Sequence, residues 1–225
     1  MLTRRRSFAS YGVRVPLPAI FCAVLLACVS SPTPHFYSLS SLDSKESPHG
    51  EQQTAPAAVQ LAVAVGPLHL PRYLERPQIV LRRGDSRVEF DEQNRWAGDL
   101  ESEMLRVLGE NLAILLSTDR IVVYPLVAGF TPKYRVRLYV DRFDGRPGDA
   151  VELRVRWELL SSADAPDAVV VETTALREPL SSTGVDELVQ AHDKLLAALS
   201  RQIAARIEAL EQAAPEPASA GGPAS

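Results

Sequence analysis

The chain has 225 residues, with 24 Lys and Arg against 28 Asp and Glu, a formal charge of −4. Four of those arginines and no acid lie in the first 27 residues, so the remainder carries 20 basic and 28 acidic groups, a charge of −8. That balance, with no basic tail, argues against nucleic acid as a partner and against electrostatic attachment to anionic lipid. The two cysteines, Cys22 and Cys28, offer no disulfide, thiol nucleophile or cysteine metal site once the first leaves with a leader.

Arg4, Arg5, Arg6 and Arg14 precede an apolar run from Leu17 to Ala27. A hydrocarbon core needs about 20 apolar residues, so this run is too short to span and suits a signal peptide. It ends Leu25-Leu26-Ala27-Cys28. Either an ordinary leader stops beside an incidental cysteine, or the cysteine itself is the maturation point. The tetrapeptide resembles the lipobox of bacterial lipoproteins. The resemblance implies a diacylglyceryl thioether on Cys28, cleavage after Ala27 and acylation of the new amino group. Several acyl chains together hold a protein to a membrane effectively for good, where one holds it only marginally. Val29, in place of Asp, implies for such lipoproteins passage to the outer membrane, on its periplasmic face. Arg5-Arg6-Ser7-Phe8 loosely resembles a twin-arginine export signal.

Residues 28–58 read as the lipidated cysteine and a flexible tether rich in Ser, Pro, Thr and Gln. Phe36-Tyr37-Ser38-Leu39 is the exception, a β-like patch able to dock on the domain that follows. Residues 59–212 read as a single domain, long enough for one core of about 150 residues and not two. Ala213 to Ser225, made of Ala, Pro, Glu, Ser and Gly, has almost nothing to bury and reads as a disordered tail. No later apolar run has the length of a membrane span.

Period-two patterning predicts strands within that domain. Val59, Leu61, Val63 and Val65 alternate with Gln60, Ala62 and Ala64. Runs 78–83 and 87–91 flank Gly84-Asp85, a hairpin signal. In 133–141 and 151–159 apolar residues alternate with Arg, Lys, Asp and Glu, and Asp144 to Asp149 reads as the turn between them. A third β-rich run covers 168–176. Each strand has one wet face, which suits a mainly antiparallel sheet covered on one side. Two stretches switch to the helical period: 97–117, through Leu100, Met104, Leu108, Leu112 and Leu115, and 185–211, through Leu188 to Leu210. Thr183 with Asp186 reads as an N-cap arrangement for the second. The expected fold is a two-layer α+β domain with both long helices on one face of the sheet.

Val65-Gly66-Pro67-Leu68-His69-Leu70-Pro71-Arg72-Tyr73-Leu74-Glu75-Arg76-Pro77-Gln78-Ile79-Val80 leads to Asn94-Arg95-Trp96-Ala97, and Arg106-Val107-Leu108-Gly109-Glu110-Asn111-Leu112 follows. These runs, with Leu188-Val189-Gln190-Ala191 and Leu199-Ser200-Arg201-Gln202-Ile203-Ala204, resemble the PqiC (YmbA) family of ABC-transport auxiliary lipoproteins over most of the chain after Cys28. The resemblance implies a fold like the amino-terminal domain of TolB. It also implies work with periplasm-spanning proteins of the mammalian-cell-entry (MCE) type, in lipid movement between membranes and envelope integrity. Some members assemble into rings, so a homo-oligomeric ring is among the assemblies implied. The carboxyl tail is not part of the family pattern.

For partner binding, the loop from Leu70 to Gln78 is the foremost candidate. Pro71 and Pro77 forbid helix there and extend their preceding residues, which would present Arg72, Tyr73, Leu74 and Arg76. The competing reading folds Tyr73 and Leu74 back as a lid on the core. Trp96 either plugs the first helix into the sheet or serves the surface. Arg135, Arg137, Arg154 and Arg156 would meet phosphates, or pair across strands with Glu152 and Glu158. The four histidines lack metal-ligand spacing, and neither a nucleophile elbow nor a phosphate-binding glycine loop occurs. The expectation is no enzyme, no metal and no cofactor. The main reading is a non-enzymatic accessory lipoprotein of an MCE-type lipid transport system. The alternative is a generic adaptor for envelope assembly or secretion, since fold does not fix function.

Overall fold

The computed structural model describes residues 33–42, 61–161 and 168–213. Among these residues eight strands and two helices follow in the order β1 (His35–Tyr37), β2 (Val63–His69), β3 (Gln78–Arg83), β4 (Arg87–Trp96), α1 (Leu100–Leu115), β5 (Ile121–Val123), β6 (Tyr134–Arg146), β7 (Ala150–Ser161), β8 (Ala168–Pro179) and α2 (Val185–Ala213). The α+β class follows from the two periods read in the sequence. Along β7, Val151, Leu153, Val155, Trp157 and Leu159 are all buried, while Arg154 and Arg156 between them are exposed.

The sheet is mixed, not mainly antiparallel. Hairpin-type pairs β3–β4, β6–β7 and β7–β8 are antiparallel, whereas β1–β4, β2–β5, β2–β6 and β3–β6 are parallel. Alternation reports which face of a strand is dry and carries no information on direction. Direction comes from connections. Tight turns enforce antiparallel pairs, but β2 reaches β5 by way of α1, and such crossovers give parallel neighbours. Central placement also overrides the expectation of one wet face for β2. Between β5 and β6, both its valines and Ala62 and Ala64 are buried.

Strand β6 organises the sheet. One edge pairs with β7 from end to end. The other pairs first with β2, from Tyr134 to Tyr139, and then with β3 at Gly145. The chain between β2 and β3 therefore loops outward where the β6 edge changes partner.

Helix α1 packs on β2 and β5, and α2 packs on β6, β7 and β8 and against α1. Asp99 caps α1 by accepting the Ser102 amide at 3.0 Å. Gly109 is what lets α1 approach β5, because a Cβ there would lie 2.8 Å from Val123 Cγ2. At the start of α2 the cap differs from expectation. The Gly184 carbonyl accepts the Leu188 amide, and Glu187 reaches back to the Ser181 and Ser182 amides at 2.8 Å each. Those two serines, through hydroxyls and amides, hold the Glu187 carboxyl down at about 2.

Residues 35–42 are docked as a strap. β1 adds in parallel to β4, the Tyr37 carbonyl accepts the Ala97 amide at 2.7 Å, and Leu39 is 2% exposed. Arg106 donates to the Leu39 carbonyl at 2.6 Å, the Ser40 amide donates to Asp193 at 2.9 Å, and the Leu42 amide donates to Asn111 at 2.7 Å. Asn111 in turn donates to Ser200 at 3.1 Å, fully buried between the helices. Tyr37 faces Asp186, and its phenol is pushed up first by burial and then by that carboxylate. Asp186, Asp193 and Ser200 recur every seven residues, about two helical turns, so the strap runs along one stripe of α2. The sequence pattern marked residues 36–39 as able to dock; the strap extends this through Leu42.

Candidate functional site

Residues 70–77, the excursion between β2 and β3, are held from both ends and from beneath. The Leu74 amide closes a tight turn on the Pro71 carbonyl at 2.8 Å, and the Pro77 carbonyl accepts the Trp96 amide at 2.7 Å. Leu74 is 1% exposed and joins the core. Tyr73 is half-buried, and its hydroxyl donates to Asp144 at 3.1 Å. Arg72 and Arg76 are exposed, with the Arg76 guanidinium lying 4.8 Å from the Phe90 ring centre. Of the four residues expected to present themselves together, two thus point out as cations, one is pinned by its hydroxyl, and Leu74 folds inward as a lid would.

Asp144 is the anchor beneath the loop. Its side chain is fully inaccessible. It accepts Arg82 in a bidentate pair at 2.8 and 2.7 Å and Arg142 at 3.1 Å. Burial pushes its carboxyl up, but the hydrogen bonds and charges of the two guanidinium groups outweigh burial and hold it below the usual carboxylate range. Burial, then the same carboxylate, drives the Tyr73 phenol up to about 12. The tyrosine therefore stays protonated and serves as a fixed hydrogen-bond donor. The sequence pattern placed Asp144 in the turn before β7. Instead β6 continues to Arg146, because a register shift between Val140 and Arg142 carries Phe143 and Asp144 inward together. A strand phase broken by a bulge is hard to read from alternation alone.

Trp96, 4% exposed, acts as the plug. Its ring meets His192 edge-on at 5.5 Å, and Phe143 meets the same imidazole at 4.5 Å. His192 donates from Nδ1 to the Leu188 carbonyl, 2.8 Å away. Burial depresses its pKa to about 4, so the ring is neutral and serves packing.

Several arginines of the wet face are engaged by glutamates, Arg137 and Arg142 across strands from β6 to β7 and Arg156 within β7. Arg137 and Arg156 both meet Glu158, at 3.1 and 2.7 Å, and Arg142 meets Glu152 at 2.6 Å. Arg156 also lies over Tyr139 at 4.2 Å, and His69 stacks on that tyrosine from 5.0 Å. Glutamates already occupy the positions a phosphate would take at these three arginines. Arg154 is exposed. Cys28 and the carboxyl tail beyond Ala213 lie outside the described residues, and among the described residues no cluster of metal-ligating side chains occurs.

Residues 37–204 match the model of a family described as the ABC-type transport auxiliary lipoprotein component. Among solved structures, an uncharacterized protein is 22% identical, with 78% of this chain and 99% of that one covered and a TM-score of 0.62. A Xanthomonas campestris protein is 15% identical, with 79% and 97% covered and a TM-score of 0.63. At such identities the likeness shows a shared fold alone. No curated protein matches.

Proposed function

The chain belongs to the ABC-type transport auxiliary lipoprotein family, and from that membership we propose a finer role: an outer-membrane lipoprotein, anchored through Cys28, that binds the MCE-domain tunnel protein of an intermembrane lipid transport system. The family is one of auxiliary transport components and not of enzymes. The observation that carries the reading is the family match, which runs from the strap through the Leu70–Gln78 loop to α2. Supporting it, the buried polar groups Asn111, Asp144, His192 and Ser200 each serve a structural bond.

Arg72 and Arg76 are the proposed contacts, with Tyr73 and Leu74 fixing the loop that carries them. Two exposed guanidinium groups on a rigid loop suit carboxylates or carbonyls on a partner surface. The test is a crosslinked pull-down of the lipidated protein from its own envelope, with bound chains identified by mass spectrometry. An MCE-domain protein should be recovered from the wild type and lost with Arg72→Glu and Arg76→Glu together. Recovery of secretion or outer-membrane assembly components alone would overturn the transport role in favour of a general adaptor.

A further inference from the structure

We propose that the β1 edge, centred on Phe36, rests on the lipid surface that holds the anchor. This rests on the reading of Cys28 as lipidated, and it concerns how the domain is held against that surface.

Phe36 is 63% exposed, although the segment around it is firmly held. Leu39 is buried beside it, and the amides and carbonyls on its carboxyl side are bonded to β4, α1 and α2. An aromatic turned outward on a fixed edge strand has no covering element among the described residues.

Chain length identifies the occupant. Docking of the strap leaves only residues 29–34 between Cys28 and His35. Even fully extended, that stretch spans no more than about 25 Å. The sequence alone suggested a tether running to Ala58; the docked strap removes most of its reach. Lipid on Cys28 would keep Phe36 within a short span of the bilayer interface. A short linker raises the effective concentration of the second contact to the millimolar range, so even a weak surface affinity is satisfied.

The chemistry fits an interface between headgroups and acyl chains. Register places Phe36 opposite Arg95 on β4 and Arg95 opposite Gln78 on β3. An aromatic ring beside a guanidinium group is the composition that settles at such a boundary. Arg95 is shared with Glu92 at 3.4 Å, so the contact would depend on the ring more than on net charge, in keeping with an acidic chain.

The experiment uses full-length lipidated protein in vesicles of phosphatidylethanolamine and phosphatidylglycerol. A polarity-sensitive fluorophore is placed by His35→Cys, next to an intact Phe36, and for reference by Asp85→Cys in the β3–β4 turn. The expected result is blue-shifted emission and quenching by brominated acyl chains at position 35, with neither at position 85. Adding Phe36→Ser to the His35→Cys protein should remove both signals while vesicle flotation persists. If the protein floats, and position 35 behaves as position 85 does or ignores Phe36→Ser, the docking is overturned and the anchor stands. If the wild type fails to float, or Cys28→Ser floats equally well, the anchor reading falls and takes the docking with it.

Discussion

Asp144→Ala should cost the fold about 3 kcal/mol and free the loop that carries Arg72 and Arg76. Removing one member of a buried ion pair typically costs about 3–5 kcal/mol, because the partner charge is left without compensation. Here two guanidinium groups and a phenol lose their acceptor. The side chains of Arg82 and Arg142 are 13% and 24% exposed, so water can reach both, which sets the value at the lower end. Asp144→Asn keeps the shape and part of the bonding but loses the charge, and should cost about 2 kcal/mol. Urea unfolding reads the change as a lower midpoint at constant slope. Hydrogen exchange reads the consequence for the loop, since the Leu74 amide bonded to Pro71 should exchange faster once Tyr73 is released. A loss below about 1 kcal/mol with unchanged exchange would mean that the pair behaves as a surface one. The loop would then be held by Leu74 in the core and by the Pro77–Trp96 bond at its foot, without help from Tyr73.

Three further outcomes follow from the buried polar groups. His192 has its pKa depressed from 6.5 to about 4, so the unfolded chain takes up its proton first as pH falls. Stability should be whole above pH 6.5 and lost between about 6.5 and 4, by roughly 3 kcal/mol in all; His192→Leu should flatten that segment of a pH-resolved unfolding series. Asp144 contributes in the same direction at lower pH: its lowered carboxyl stabilises above the ordinary value of 3.8 and ceases to as pH falls through the folded one, so Asp144→Asn should weaken the remaining acid dependence. Asn111→Ala removes the acceptor of the half-buried Leu42 amide and should cost about 2 kcal/mol, with exchange at Leu42 and Ser40 accelerating while the β7 amides stay protected.

How much of this was legible in the sequence depends on what each residue type reports. Strands with strict alternation, such as β7, and helices with a leucine stripe were readable because burial imposes their period. The short β5 was not, since Ile121-Val122-Val123 is three residues of apolar sequence with no alternation to mark it. Parallel pairing was invisible because side-chain period is silent on direction. The strap beyond Leu39 could not be read either. Its bonds are made by backbone amides of Ser40 and Leu42 to side chains at Asp193 and Asn111, and amides leave no trace in composition. At the candidate site, the prolines correctly marked a loop with extended flanks. They could not sort Arg72 and Arg76 from Leu74, because the distinction rests on Asp144, about 70 residues away in sequence.

The Asn94-Arg95-Trp96-Ala97 run gains its meaning from where β4 ends. Consecutive amides there bind two different segments: Trp96 donates to Pro77 at the foot of the loop, and Ala97 donates to Tyr37 in the strap. The Trp96 ring, packed against His192, fixes both amides in place. The candidate partner loop and the strap that leads to Cys28 therefore share one joint. Trp96→Phe shortens the plug while keeping it aromatic and should cost about 1–2 kcal/mol, less than a full truncation. If the joint is shared, amide exchange should rise together at Leu74 in the loop and at Leu42 in the strap, whereas Asp144→Ala should raise it in the loop alone. Acceleration confined to one segment in the Trp96→Phe protein would show that loop and strap are held independently. A load on the lipid anchor could then reach the partner loop only through the rest of the sheet.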